Sequence, residues 1–506
     1  MRWRVRSVAL VLLMPLATVA AVVSTGSAAS AGCATAVVPS DFNGDGFADI
    51  AIGAPFYKTG RGGVTVVYGP AIGTPVTQAF DESQFGSITP TGGDYFGDDL
   101  ATGNFNGDCY ADLAIAIPGQ PPIDDVRPDT GVSASGGALV VLYGSASGLG
   151  SGTVFFMSQL DTNQGIDETG GGETLAAGDF NGDGRDDLAI GLSESANRTG
   201  EVAVMKGSST GLTTSGHKLW TQDSAGVPGT AEVGDFFGEA LAAGDFNGDK
   251  HADLAISAPG EDTTAAGDTG SVTILPGSSG GLTGSGSKAW TEDSTGVPGT
   301  SEDQDFWGTS LAAGDLTGDG RADLVIGDPQ EGIGTHDGAG AVTILHGAAT
   351  GLLTTSHAQL IDQSTAGVPG VAETGDGFGE SLAIGYFNSG TRADLAIGDP
   401  GEGIGNAKAA GTVTVLSGTS TGVSTSSAKL WDQNTSGIIG TSEHDDWFGT
   451  DLTAVRVRGS AETDLVVGVS NESLGSQTGC GAVAIIPGSS SGLTATGNRL
   501  LEPTVL

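Results

Sequence analysis

Five short stretches of this chain place oxygen donors at one fixed spacing, and that spacing suits a hard cation. Each has the general form D-x-N-x-D-G-x-x-D, with side-chain oxygens at positions 1, 3, 5 and 9 and a backbone carbonyl at position 7. The first offers Asp41, Asn43, Asp45 and Asp49, with the Phe47 carbonyl. The second offers Asn104, Asn106, Asp108 and Asp112 with Tyr110, and the third Asp179, Asn181, Asp183 and Asp187 with Arg185. The fourth offers Asp245, Asn247, Asp249 and Asp253 with His251, and the fifth Asp315, Thr317, Asp319 and Asp323 with Arg321. Calcium accepts about six to eight oxygens at loosely constrained angles, which a flexible loop can supply better than magnesium's octahedron allows. Several carboxylates in one loop repel each other until a cation neutralises them. The expectation is therefore about five bound Ca²⁺, the second held more weakly because Asn104 replaces the first Asp.

An EF-hand opens with similar spacing, but it needs a bidentate Glu at the twelfth position. That place is taken here by Ile52, Ile115, Ile190, Ile256 and Ile326. The acidic loops run instead straight into apolar strands. Two further copies have lost the donors. The sixth keeps only Asp394 beside Tyr386, Asn388, Ser389 and Gly390, and the seventh keeps Asp464 beside Arg456 and Arg458. Both are expected to be metal-free, with a guanidinium standing in for the cation in the seventh.

The loops sit in a repeat. They begin at residues 41, 104, 179, 245, 315, 386 and 456, which defines seven units of about 70 residues. Each unit reads as four short strands; in the unit from 235 these are Glu239–Gly244, Asp253–Ser257, Ser271–Leu275 and a segment around Lys288–Thr291. Gly, Pro, Asp and Ser turns bound them, and no sustained helical period appears. Seven four-stranded antiparallel sheets in series predict an all-β, seven-bladed β-propeller. The blades fall at about 34–93, 94–170, 171–234, 235–304, 305–375, 376–445 and 446–506.

Two further motifs recur in step with the loops. Phe-Gly stands at Phe96-Gly97, Phe237-Gly238, Phe378-Gly379 and Phe448-Gly449, with Trp307-Gly308 as a variant, and Gly172-Glu173 near that place in the third unit. Gly-Ala-Pro stands at Gly53-Ala54-Pro55 and is varied at Ser257-Ala258-Pro259, Gly327-Asp328-Pro329 and Gly398-Asp399-Pro400. The units resemble FG-GAP repeats, which build the seven-bladed propeller of integrin α subunits and of many bacterial secreted proteins. The resemblance spans nearly the whole chain after its leader. It implies protein or matrix recognition on the face of the second-to-third strand loops, where Glu261, Asp262, Gln330, Glu331 and Glu402 lie.

Composition narrows the partners. The 506 residues carry a formal charge of −41, which excludes a nucleic-acid partner on electrostatic grounds. The 88 glycines lack collagen's strict period, and 38% hydrophobic content argues for a packed core rather than disorder. Residues 1–31 read as a signal peptide: Arg2, Arg4 and Arg6, an apolar run from Val8 to Val23, then Ala29-Ser30-Ala31. A lipoprotein signal before Cys33 would want a bulky aliphatic where Ser30 stands. No later stretch of 18 apolar residues follows, so no membrane span is expected. Loss of the leader takes the charge to −44, and five calcium ions would bring it to about −34.

Three cysteines in an exported chain suggest one disulfide. The topology puts Cys33 and Cys480 on one face across the ring seam, so these are expected to pair and Cys109 to be free, with three reduced thiols as the alternative. G-x-S-x-G around Ser209, Ser279, Ser420 and Ser490 is a repeated turn without the helix a nucleophile elbow needs. Trp220, Trp290 and Trp431 share one fourth-strand slot and suit inter-blade packing. The expected protein is thus a secreted, monomeric, calcium-binding adhesion module for a protein or glycan ligand, and not an enzyme. The alternative is a secreted hydrolase or carbohydrate-active enzyme using the acidic face.

Overall fold

The computed structural model describes residues 38–501, apart from 71–75, 121–135, 151, 161–173, 264–265, 474–478 and 480. Short aliphatic strands separated by Gly- and Asp-rich turns pair with their sequence neighbours into seven antiparallel sheets. Six have four strands. The first has three among the described residues: Ile50–Gly53, Val64–Tyr68 and Val76–Phe80. In the fourth sheet, Leu241–Gly244, Asp253–Ala258, Ser271–Leu275 and Lys288–Trp290 pair in order, and the Gly244–Asp253 pair closes the acidic loop. The innermost strands of successive sheets pack against one another, as those of a propeller must. Helix is confined to short turns such as Tyr57–Gly60 and Ser195–Arg198.

Seven hydrophobic cores hold the ring together, one between each pair of neighbouring blades. The last joins Ile50, Ile52 and Val67 of blade one to Val455, Val466 and Ile485 of blade seven, and so closes the circle. Two sequence features feed these cores. The second residue of every acidic loop (Phe42, Phe105, Phe180, Phe246, Leu316, Phe387 and Val457) is fully buried. The aromatic of the Phe-Gly motif arrives from the following blade: Phe96 shares a core with Phe42, and Trp307 with Phe246. Burying a side chain of this size is worth about 1.5–3 kcal/mol, so each loop is anchored by its own core residue.

The two glycine motifs interlock. Within a blade, the Gly379 N–H donates to the Gly398 carbonyl at 2.9 Å, as Gly308 does to Gly327 at 3.0 Å and Gly238 to Ser257 at 2.8 Å. Gly379 needs its glycine because φ is +99°. Between blades, the Gly379 carbonyl accepts the Ser310 hydroxyl at 2.6 Å, and a Cβ on Gly327 would lie 2.3 Å from that same carbonyl. The motifs are therefore one set of points where one blade's backbone touches the next, beside those made by the acidic loops.

Candidate functional site

The acidic loops all lie at one face of the ring, each anchored at its second residue. In the first loop, Asp41 Oδ1 accepts the Gly44 and Asp45 N–H groups at 2.7 and 3.2 Å, and its Oδ2 accepts Gly46 N–H at 2.9 Å. Asn43 Oδ1 accepts Asp45 N–H at 2.9 Å, and Asp45 Oδ1 accepts Phe47 N–H at 3.0 Å. The fourth loop repeats this with Asp245, Asn247 and Asp249, closing on the His251 N–H. In the fifth, Asp315 collects Gly318, Asp319 and Gly320, and Asp319 collects Arg321. In the third, Asp179 collects Asp183 and Gly184, while Asp183 accepts from Arg185. Asp45, Asp183, Asp249 and Asp319, at position 5 of these four loops, stand exposed, while Asp41 is buried.

The ninth residue does something the spacing did not reveal. In all seven loops it accepts the N–H of a glycine near the end of the third strand or just beyond it: Gly69, Gly144, Gly207, Gly277, Gly347, Gly418 and Gly488, at 2.7–3.2 Å. Asp394 and Asp464, in the two depleted loops, keep this bond. It is a structural bridge as well as a candidate ligand, and its survival in those loops was the available signal. Burial pushes the carboxyls of Asp49, Asp187 and Asp253 up to about 7 and that of Asp112 to about 8. Bonds from backbone N–H groups oppose the shift, and neighbouring carboxylates, Asp41 and Asp45 for Asp49, add to it.

These loops fit calcium by their donor chemistry: oxygen-only side chains, charges that repel across one turn, and an exposed carboxylate at position 5. Asp41, Asn43, Asp45, Asp49 and the Phe47 carbonyl would hold it in the first loop. A bound calcium would supply charge neutralisation and tie the two ends of the loop. The second loop differs. Asn104 donates through Nδ2 to the Asp108 carbonyl at 2.8 Å, and its buried Oδ1 has no partner. Asn106 accepts Asp108 N–H, and Asp108 accepts Tyr110 N–H. In the sixth, Asn388 donates to Asp394 at 2.6 Å. In the seventh, Arg458 donates to Asp464 Oδ1 at 2.9 and 2.6 Å.

Cys109, in the second loop, is disulfide-bonded, which corrects the expected free thiol. The expected Cys33–Cys480 pair falls outside the described residues.

On the opposite face, the expected ligand residues divide. Asp262 and Gln330 are exposed. Glu261, Glu331 and Glu402 instead turn into the blade junctions: Glu402 accepts Gln363 Nε2 at 2.6 Å, and Glu261 accepts Gln222 Nε2. The serine turns behave as read. Ser208 Oγ donates to the Gly211 carbonyl at 2.6 Å, Ser209 is exposed, and the chain continues into the strand Thr213–Trp220 rather than a helix. Trp220 and Trp431 are buried in inter-blade cores, and Trp290 packs on one. No helix among the described residues is long and apolar enough to cross a membrane.

A profile of the FG-GAP repeat matches residues 34–67, 171–205, 237–275 and 307–345. Integrin alpha-PS2 of Drosophila melanogaster is 31% identical over 235 residues, 45% of this chain and 15% of that protein. Integrin alpha-5 of Xenopus laevis is 28% identical over 236 residues, 46% of this chain and 20% of that one. Phosphatidylinositol-glycan-specific phospholipase D of Mus musculus is 35% identical over 158 residues, 30% of this chain and 17% of the enzyme. The chain therefore spans a fifth or less of the length of these curated relatives. Among solved structures, a rhamnogalacturonan lyase of Bacillus licheniformis aligns with a TM-score of 0.34 at 12% identity, over 88% of this chain and 80% of that one. The Dos1 propeller aligns with a TM-score of 0.38 at 12% identity, over 83% and 71%. The expectation that the chain is not an enzyme is corrected by the likeness to the phospholipase D. That enzyme and the integrin subunits both align with parts of this chain, so likeness of this kind does not separate enzymes from other proteins.

Proposed function

We propose that this integrin-like FG-GAP propeller is an exported binding module, stabilised by calcium, for a protein or cell-surface glycan. The observation that supports this most directly is the likeness to two integrin α subunits across 235–236 residues of repeats. The leader-like residues 1–31 support export. The calcium loops occupy one face, which leaves the second-to-third strand loops of the other, with exposed Asp262 and Gln330, to meet a partner. The strong negative charge favours a cationic or neutral ligand surface over an anionic one.

Capture of arrayed proteins and glycans by the immobilised chain, in calcium and in EDTA, tests the reading. Saturable, calcium-dependent capture weakened by Asp262→Ala or Gln330→Ala supports it. Absence of capture by a folded, calcium-loaded chain overturns it. Calcium calorimetry tests the loops: about five ions should bind there, and fewer than four would defeat the proposed count.

A further inference from the structure

The seven-fold repeat offers an internal comparison on the face opposite the acidic loops. Just after the fourth strand of blades three, five and six stands a glutamine whose side-chain amide crosses to the next unit. Gln222 donates to Glu261, Gln363 to Glu402 at 2.6 Å and to Asp399 at 2.7 Å, and Gln433 to Glu472 at 2.6 Å. At each junction an N–H group meets a carboxylate in a protected place. Between blades four and five the same slot holds Glu292, facing Glu331. The donor has been replaced by an acid, the fourth at this junction.

Glu292, Asp305, Asp328 and Glu331 each bring an oxygen within 4.8 Å of the others. Glu292 is 3%, Asp305 4% and Asp328 2% exposed. Both Asp328 oxygens, Glu292 Oε2 and Glu331 Oε2 are buried without a hydrogen-bond partner. The charges acting on the four are all negative, and no ion pair reaches them among the described residues. An unpaired buried carboxylate is costly, so a cluster this dense must take up protons or a cation.

We propose that Glu292, Asp305, Asp328 and Glu331 form a calcium site that joins blade four to blade five on the face opposite the acidic loops. Four carboxylates suit a hard cation, and calcium accepts such a set at loosely constrained angles, whereas magnesium demands a near-ideal octahedron and keeps several of its waters. Four oxygen donors from three separate segments would make the ion a clamp: the end of one blade, the entry to the next, and the turn after its second strand. At the junction of blades five and six, where Asp376, Asp399 and Glu402 also gather, the Gln363 amide already occupies the corresponding role. That neighbour serves as the metal-independent counterpart.

The test is Glu292→Gln in the full chain, which installs the residue of the sister junctions and should fold. Calcium binding is counted by calorimetry and native mass spectrometry after chelation. The variant should bind one calcium fewer than the parent and melt higher than the parent in EDTA. Asp328→Asn should likewise lose one ion. Asp249→Ala, in the fourth acidic loop, serves as the independent control, so a failure of the loop sites is seen separately from a failure of this one. Unchanged stoichiometry in both Glu292→Gln and Asp328→Asn would overturn the site and leave the cluster holding protons instead.

Discussion

Arg458 places its guanidinium on the fully buried carboxylate of Asp464, with Nη2 2.6 Å from Oδ1, and also donates to the Gly488 carbonyl at 2.8 Å. Arg458 is the third residue of its loop and Asp464 the ninth, the positions that in loops one to five carry candidate calcium ligands. A permanent side-chain cation thus sits in the loop that has lost its acids. Removing one partner of a buried pair strands the other charge, at a cost of about 3–5 kcal/mol. Arg458→Ala should therefore lower the unfolding free energy by about 3 kcal/mol, equally in calcium and in EDTA. Asp249→Ala, at the exposed fifth position of loop four, should destabilise only in calcium. Thermal melts of both variants in the two buffers check the contrast; calcium dependence of the Arg458→Ala effect would refute it.

Gly327 tests whether the glycine motifs act as contact points between blades. A Cβ there would meet Ser310 Oγ at 2.1 Å and the Gly379 carbonyl at 2.3 Å, and the carbonyl belongs to backbone that is itself hydrogen-bonded. Overpacking of this kind costs about 1–3 kcal/mol. Gly327→Ala should lose that much by denaturant titration. Gly332→Ala, where a Cβ meets nothing within 4 Å, should stay within about 0.5 kcal/mol of the parent. Equal effects at the two positions would argue against the interlock.

Most of the fold was legible because the pattern is written seven times. The acidic loop marks the turn between the first two strands, and in the blade starting at 235 the strands Asp253–Ala258 and Ser271–Leu275 lie where the alternation of turns and aliphatic runs put them. The double role of the ninth Asp was not legible, because its glycine partner lies 20 to 32 residues away, near the end of the third strand or just beyond it. The junction on the other face was hidden for a similar reason. Gln363 and Glu402 are 39 residues apart and belong to different units, so only the assembled ring brings them together. Glu331 and Glu402 therefore read as ligand-facing from the loop they occupy, although their side chains turn inward.

Glu82 occupies in blade one the slot held by Gln222 and Glu292 elsewhere, and it is 2% exposed. Burial first, and then the adjacent charge of Asp94, push its carboxyl up to about 9; Arg61 opposes this and Asp81 adds to it. In the unfolded chain the same group releases its proton near 4.5. The native state therefore holds the extra proton between those values. Its contribution is fully present below about 4.5 and is lost as pH rises towards 9, with a slope of at most about 1.4 kcal/mol per pH unit. Glu82→Gln keeps the shape of the neutral acid and removes the titration. The parent should lose stability relative to Glu82→Gln as pH is raised from 5 to 8, measured by urea titration in EDTA so that no ion contributes. A difference that stays constant with pH would show that Glu82 is charged in the folded ring, and that its pocket is less protected than the packing around residue 82 implies.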